Sequence, residues 1–251
     1  MYSMQFSKWI YFLVVIIVFI LFCLVKIYRV FPWRKGSSRQ HPIKDFYLEW
    51  NDYISEGVVY YKEIIPEGYA KLDVLLLHGM SFSSRNWVEL NTMNILASHG
   101  YHVIALDLPG YGKSLHKLDT SDSSRVVFLE QFIKKTRLVS PVIVSPSMSG
   151  VYSLTYLAAS KASRAFVAIA VVGTEKIPVG DFQNFPPTLI VQGSRDKNLG
   201  VTSTSILSKN VPHNSVQVIQ DAGHACYMNK PDEFHTMLLK FLNNIAKSES
   251  G

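Results

Sequence analysis

A chain of 251 residues, 48% of them hydrophobic, can bury one sizeable globular core and carry an additional segment. Its net charge of +6 would suit a nucleic-acid partner, but the charge is unevenly distributed. Six basic residues and no acidic residue occur in residues 1–40, whereas the other 19 basic residues are balanced by 19 Asp and Glu. The chain after residue 40 is therefore neutral, which excludes the basic surface that nucleic-acid binding needs.

The most apolar part of the chain is residues 9–25, which lie between Lys8 and Lys26 and contain no charged residue. A buried core helix would show a polar stripe, and a signal peptide would have a shorter apolar region followed by small residues. Neither pattern is present. The run therefore predicts an uncleaved transmembrane helix over about residues 9–31.

This interpretation sets the predicted domain organisation. Residues 1–33 form the membrane anchor with its flanks, residues 34–56 form a polar linker, and residues 57–246 form one globular domain. Basic residues are more numerous after the apolar run than before it, which favours a globular domain on the cytoplasmic side.

The first strands predicted in the globular domain are residues 58–65 and the apolar residues 74–77. The second strand leads directly into His78-Gly79-Met80. A backbone N–H in such a loop can stabilise a negatively charged oxygen, so Met80 is a candidate oxyanion-hole donor. Taken alone, this sequence fits an ordinary exit from a strand better than it fits an oxyanion hole.

Residues 87–99 have the spacing of a helix, and residues 101–106 are the next strand. The following loop, DLPGYGKS in residues 107–114, ends like a phosphate-binding loop. That motif requires glycine at position 107, where this chain has Asp107, so we reject a nucleotide site. We expect Asp107 to fix the loop by hydrogen bonds.

The amphipathic residues 123–135 precede the stretch VIVSPSMSGVY in residues 142–152. A β-branched strand, a turn of small residues and a helix-compatible segment make up the nucleophile elbow of α/β-hydrolases. The usual pattern is G-x-S-x-G, and here Ser145 and Ser149 stand in place of both glycines. The elbow predicts Ser147 as nucleophile and the backbone N–H of Met148 as the second oxyanion-hole donor.

Residues 165–172 and 188–193 are two further buried strands, and only fifteen residues separate them. A helical lid is often inserted at this point in hydrolases, and there is no room for one here. Strands that alternate with helices predict a doubly wound, mostly parallel sheet of the α/β-hydrolase type, preceded by the N-terminal transmembrane helix.

The remaining polar candidates follow the last strands. Asp196 comes just after residues 188–193, and His224 lies in a glycine-containing loop between the strand of residues 216–219 and the final helix, residues 231–246. The chain order Ser147, Asp196, His224 is the order of a Ser-His-Asp triad in this fold.

The sequence SPSMSG in residues 145–150, with GHACY in 223–227 and KPDEFH in 230–235, resembles the alpha/beta-hydrolase domain-containing protein 14 family. The resemblance covers about residues 57–245. It implies a lidless serine hydrolase with Ser147 as nucleophile, Asp196 as acid and His224 as base. The N-terminus resembles the membrane-anchored A form of that family, which implies a type II orientation and conflicts with the charge count.

The expected function is a membrane-anchored serine hydrolase that cleaves small acyl substrates, esters or amides, through an acyl-enzyme. An acyltransferase with a thiol or amine acceptor and a catalytically silent interaction domain remain alternatives. We expect no metal or other cofactor and no nucleic-acid partner. A small acyl substrate and the membrane are the expected partners.

Overall fold

The computed structural model describes residues 42–51, 56–115, 119, 121–159 and 162–248. Within these residues one sheet contains eight strands: β1 Lys44–Asn51, β2 Glu56–Ile64, β3 Asp73–Leu76, β4 His102–Leu106, β5 Val142–Pro146, β6 Ala165–Ile169, β7 Thr188–Gly193 and β8 Asn214–Ile219. Their order across the sheet is β1-β2-β4-β3-β5-β6-β7-β8. Strand β2 is antiparallel to both of its neighbours, and all the other pairs are parallel.

Among the described residues, five helices lie in the connections between parallel strands: α1 Ser84–Glu89, α2 Thr92–Ser98, α3 Asp122–Lys135, α4 Gly150–Ala159 and α5 Leu199–Asn210. Two more follow β8: α6 Cys226–Asn229 and α7 Pro231–Lys247. A 3₁₀ turn, Ser147–Ser149, lies between β5 and α4. The loops that follow β3, β5, β7 and β8 lie at the carboxyl ends of the parallel strands. Ligands bind at these ends in sheets of this kind.

The two faces of the sheet form two separate cores, because successive side chains of a strand point to opposite faces. One core joins strand residues to α3, α4 and α5: Leu75, Ile143, Phe166, Phe128, Leu154 and Leu207. The other joins strand residues to α1, α2 and α7: Val74, Val144, Val167, Trp87, Leu96 and Leu238. Helices on both faces explain why the central strands are apolar throughout. The prediction of a doubly wound, mostly parallel sheet is confirmed.

The sheet begins within the stretch that the sequence analysis interpreted as a linker. Strand β1 pairs along its whole length with β2, from Lys44 opposite Glu63 to Asn51 opposite Glu56. The stretch was predicted to be a polar linker because β1 contains three charged residues, Lys44, Asp45 and Glu49. Only Trp50 of this strand is fully buried, and its ring packs at a tilt against Phe128 with 4.8 Å between ring centroids.

The connection between β6 and β7 contains two short 3₁₀ segments, Thr174–Lys176 and Val179–Asn184. Phe182 and Phe185 fix this connection to the first core, because both side chains are buried there. The connection therefore packs onto the domain and adds no helical lid over the carboxyl ends of the strands.

The structure corrects the predicted membrane localisation. A span needs about 20 consecutive apolar residues. In the part of the chain that the structure describes, no helix is long and apolar enough, and the longest, α7, has 17 residues and includes Asp232, Glu233 and Lys240. The predicted anchor over residues 9–31 lies outside the described residues. A single-pass, type II anchor is therefore not supported.

Candidate active site

The turn after β5 presents Ser147 in an unusual backbone conformation. Ser147 has a φ of 50°, in the left-handed region that costs a non-glycine residue about 1–3 kcal/mol. The N–H of Val172, just after β6, donates to the Ser147 carbonyl over 3.0 Å and holds the turn in place. Strain that the surroundings maintain in this way is typical of a functional residue.

The close packing that usually requires two glycines is arranged differently here. A Cβ on Gly150 would lie 2.8 Å from Val171 Cβ and 2.9 Å from Val172 N, closer than the packing allows. Glycine is therefore needed at position 150. Ser145 and Ser149, which replace the usual glycines, are fully buried and hydrogen-bonded to each other over 2.9 Å. The sequence analysis missed this pairing, because nothing in the spacing shows that the two side chains meet.

The three residues predicted from the chain order meet in one hydrogen-bonded row. His224 Nε2 lies 2.8 Å from Ser147 Oγ, and His224 Nδ1 lies 2.6 Å from Asp196 Oδ2. An ionised carboxylate can only accept, so Nδ1 carries the proton and donates to Asp196. Nε2 is then free to accept from the Ser147 hydroxyl. This arrangement can deprotonate a serine and orient the imidazole that does so.

The Asp196 carboxylate lies at the start of α5, and its side chain is only 7% exposed. Burial would raise the pKa of Asp196, but hydrogen bonds from His224 and from the backbone N–H groups of Gly200 and Asn198 outweigh it and lower the pKa. Glycine at position 200 permits this approach, because a Cβ there would lie 2.8 Å from Asp196 Oδ2.

Close packing also holds together the loops that carry Asp196 and His224. A Cβ on Gly193 would lie 2.7 Å from the carbonyl carbon of Ala222, so glycine allows the two loops to touch. An exposed ion pair, Arg195 with Asp221 at 2.8 Å, joins the same loops. The relative position of the acid and the imidazole is thus set mainly by backbone contact.

The loop after β3 lies directly beside Ser147. A Cβ built on Gly79 would lie 3.6 Å from Ser147 Cβ. Met80, the predicted donor, follows Gly79 and its side chain is exposed, whereas Met148 follows Ser147 and is partly buried. Both backbone N–H groups therefore belong to segments that adjoin the Ser147 side chain.

The neutral side chain of His78 connects the loop after β3 to the loop after β4 by hydrogen bonds. Its Nε2 accepts from the backbone N–H of Leu108 over 3.0 Å, so Nδ1 carries the proton and donates to the Gly79 carbonyl over 2.8 Å. Burial lowers the pKa of His78 and favours this uncharged form. The sequence analysis noted His78 only as part of the motif and did not foresee this bracing role.

Asp107 acts on the loop that follows β4. Its carboxylate accepts from the backbone N–H of Ser84 over 2.7 Å and of Lys113 over 2.8 Å, and its side chain is buried. Gly112, with a φ of 54°, leaves the space that this carboxylate fills. Asp107 therefore fixes the loop, as expected, and both oxygens of its carboxylate accept hydrogen bonds from the backbone.

Other reactive groups near the site are not arranged for chemistry. Cys226, two residues after His224, is fully buried, and burial raises the pKa of its thiol to about 12, which keeps it protonated. Among the residues that the structure describes, no three His, Cys, Asp or Glu side chains are grouped to hold a metal ion.

Comparisons with known proteins agree with this fold. A model of the alpha/beta hydrolase family matches residues 74–180. Protein ABHD14A of Danio rerio is 44% identical over 187 residues, which cover 73% of this chain and 67% of that protein. ABHD14B of Rattus norvegicus is 39% identical over 207 residues, which cover 77% of this chain and 98% of that protein.

A solved structure shares the fold at lower identity. The crystal structure of a predicted CIB-like hydrolase from Thermoplasma acidophilum superposes with a TM-score of 0.73 at 22% identity, over 81% of this chain and 99% of that one. This likeness supports the fold, while the two ABHD14 relatives identify the family. The chain is a hydrolase that belongs to the ABHD14 family within the alpha/beta hydrolases.

Proposed function

We propose that this hydrolase cleaves small acyl groups through an acyl-enzyme on Ser147, with His224 as base and Asp196 as the acid that orients it. The observation that supports the proposal is the row of two short hydrogen bonds, 2.8 Å and 2.6 Å long, that links the three side chains. The strained backbone at Ser147 supports it independently, because nucleophiles of this fold occupy such turns.

In the proposed mechanism, His224 Nε2 takes the hydroxyl proton as Ser147 Oγ attacks the acyl carbonyl. The Asp196 carboxylate accepts the hydrogen bond from Nδ1–H, stays ionised and stabilises the imidazolium that forms. His224 then gives a proton to the leaving group. In the second half of the reaction, His224 takes a proton from a water molecule as the water oxygen attacks the acyl carbon. His224 then returns a proton to Ser147 Oγ as the bond between Oγ and the acyl carbon breaks, so the free acid leaves and the serine hydroxyl is restored.

The backbone N–H groups of Met80 and Met148 form the proposed oxyanion hole. Loss of one such donor typically costs about 3 kcal/mol of transition-state stabilisation. His78 supports the hole indirectly, since its hydrogen bond to the Gly79 carbonyl fixes the planar peptide group that contains the Met80 N–H.

For the substrate class, we infer acyl groups carried on lysine side chains of proteins. The name of the relative ABHD14B refers to protein-lysine deacylation, and this chain is 39% identical to it over 98% of its length. The connection between β6 and β7 is short and adds no helical lid over the strand ends, which leaves room above Ser147 for a substrate as bulky as a protein.

A fluorophosphonate probe tests the nucleophile. We expect the wild-type protein to become labelled and Ser147→Ala to stay unlabelled, because the probe reacts only with an activated serine hydroxyl. Equal labelling of both proteins would reject Ser147. A wild-type protein that binds acyl peptides but is never labelled would favour the interaction domain.

Product analysis separates hydrolysis from transfer to another acceptor. With an acyl-lysine peptide, we expect free acid as the product and no change in its yield when a thiol or an amine is added. Acylated thiol or amine as the main product would favour the acyltransferase that the sequence analysis kept as its alternative.

A further inference from the structure

Three buried serine side chains lie beneath the turn that carries Ser147. Ser145, Ser149 and Ser153 are each 0% exposed. Ser145 Oγ lies 2.9 Å from Ser149 Oγ and 2.7 Å from Ser153 Oγ, and the Ser149 hydroxyl donates to the Pro146 carbonyl over 2.8 Å. Buried hydroxyl groups are costly unless they are hydrogen-bonded, and these three bonds satisfy all of them.

Only one arrangement of the hydroxyl protons is compatible with these bonds, because a serine hydroxyl has one hydrogen to donate. Ser149 gives its hydrogen to the Pro146 carbonyl, so it must accept from Ser145. Ser145 has then used its own hydrogen and must accept from Ser153. The bonds therefore run in one direction, from Ser153 through Ser145 and Ser149 to Pro146.

The carbonyl at the end of this row belongs to the peptide bond that precedes Ser147. That bond is planar, so a fixed carbonyl oxygen also fixes the Ser147 nitrogen and the direction in which its backbone continues. On the other side of Ser147, the Val172 N–H holds the Ser147 carbonyl over 3.0 Å. The strained residue, with its φ of 50°, is thus held by a hydrogen bond on each side.

We propose that Ser149, Ser145 and Ser153 are positioning residues for the nucleophile and that they act in that order of importance. Ser149 holds the peptide group directly, Ser145 orients the Ser149 hydroxyl, and Ser153 orients the Ser145 hydroxyl. The inference rests on the proposed role of Ser147. It gives the two serines that replace the elbow glycines a function in catalysis in addition to filling space.

Alanine substitutions along the row test this order with p-nitrophenyl acetate as the probe substrate. We expect kcat to fall on the order of tenfold in Ser149→Ala, less in Ser145→Ala and within about twofold in Ser153→Ala, with KM unchanged. A merely structural role would give three similar losses of thermal stability and no gradient in kcat, because the three side chains are equally buried.

Ser203→Ala is the matched control. Ser203 is 1% exposed on α5, and its hydroxyl has no hydrogen-bond partner within the described residues. We expect its kcat to equal that of the wild type. Fluorophosphonate labelling separates misfolding from a displaced nucleophile. The final extent of labelling gives the fraction of each variant that is folded. The rate of labelling, corrected for that fraction, shows whether Ser147 is correctly positioned.

Measuring Ser147→Ala in parallel separates this inference from the proposed function. An inactive Ser147→Ala together with the graded series supports both. An inactive Ser147→Ala with equal kcat values across the three serine variants overturns the positioning role and leaves the nucleophile assigned. A fully active Ser147→Ala overturns the nucleophile, and the positioning role with it.

Discussion

The carboxylate of Asp196 is nearly shielded from solvent and yet favours its charged form. Burial raises its pKa, while the hydrogen bonds from His224, Gly200 and Asn198 lower it by more, so the pKa lies below its ordinary value. Asp196 therefore stays ionised through the neutral and mildly acidic range. In the proposed mechanism it does not set the pH at which activity is lost on acidification.

Asp196→Asn tests whether this charge and its geometry matter for the reaction. We expect kcat for p-nitrophenyl acetate to fall about 10³–10⁴-fold, because an amide can donate to Nδ1 and hold His224 in the wrong tautomer. Asp221→Asn is the control: its ion pair with Arg195 joins the same loops but is exposed, so we expect nearly unchanged kcat. Similar losses in both variants would contradict the assigned role.

The candidate residues could be predicted from the sequence because each follows a recognisable strand. Ser147, Asp196 and His224 lie at the ends of β5, β7 and β8, and the structure places them within hydrogen-bond distance. The close contact that requires Gly150 could not be predicted, since the neighbouring Val172 follows a different strand. Spacing along the chain carries no information on such contacts.

At the scale of the secondary-structure elements, His102 joins three strands. It lies at the amino end of the parallel strand β4, whereas Ser147 follows the carboxyl end of β5. Its Nδ1 lies 2.8 Å from Asp73 on β3, and its Nε2 lies 2.8 Å from Glu63 on β2. All three side chains are 14–17% exposed. Burial would lower the pKa of His102, but the two carboxylates outweigh it and raise the pKa to about 9.

This arrangement predicts a stability that depends on pH. The pKa of His102 is about 9 in the folded protein and 6.5 ordinarily, so its contribution is complete below pH 6.5 and disappears as the pH rises through 9. We expect His102→Gln to lower the free energy of unfolding in urea by about 1–3 kcal/mol at pH 6 and by much less at pH 10.

His213→Gln provides the control, because the His213 side chain is exposed. We expect this variant to match the wild type at both pH values. A loss in His102→Gln of the same size at pH 6 and pH 10 would show that packing, and not the charge of the imidazole, stabilises the three strands.

The sequence could not predict this group of side chains. Glu63 and Asp73 are 39 and 29 residues away from His102, and only the order β2-β4-β3 brings them together. Strand β1 escaped prediction for a related reason. It is an edge strand that buries little apart from Trp50, so its apolar signal is weak.

At the scale of the whole molecule, the short connection between β6 and β7 limits the apolar surface near Ser147. The connection contains two 3₁₀ segments, and its largest side chains, Phe182 within the second segment and Phe185 just after it, are buried in the core. They are therefore not available to enclose a long acyl chain. The sequence predicted this feature correctly from the fifteen residues between the two apolar runs.

We expect activity on p-nitrophenyl esters to be highest for acyl groups of about two to four carbons. Each buried CH₂ contributes about 0.8 kcal/mol, and a site without an apolar cover gains little of it. The measurement is kcat/KM across a series of chain lengths below their critical micelle concentrations. A maximum at ten or more carbons would contradict the prediction and require an apolar groove beside Ser147.

The separation of the three residues along the chain has a consequence for protein synthesis. His224 follows Ser147 by 77 residues and Asp196 by 28. A ribosome therefore makes Ser147 first and Asp196 next, and the proposed base, His224, is made only after β8. In the proposed mechanism, the growing chain consequently cannot activate the Ser147 hydroxyl until its final segment has been made.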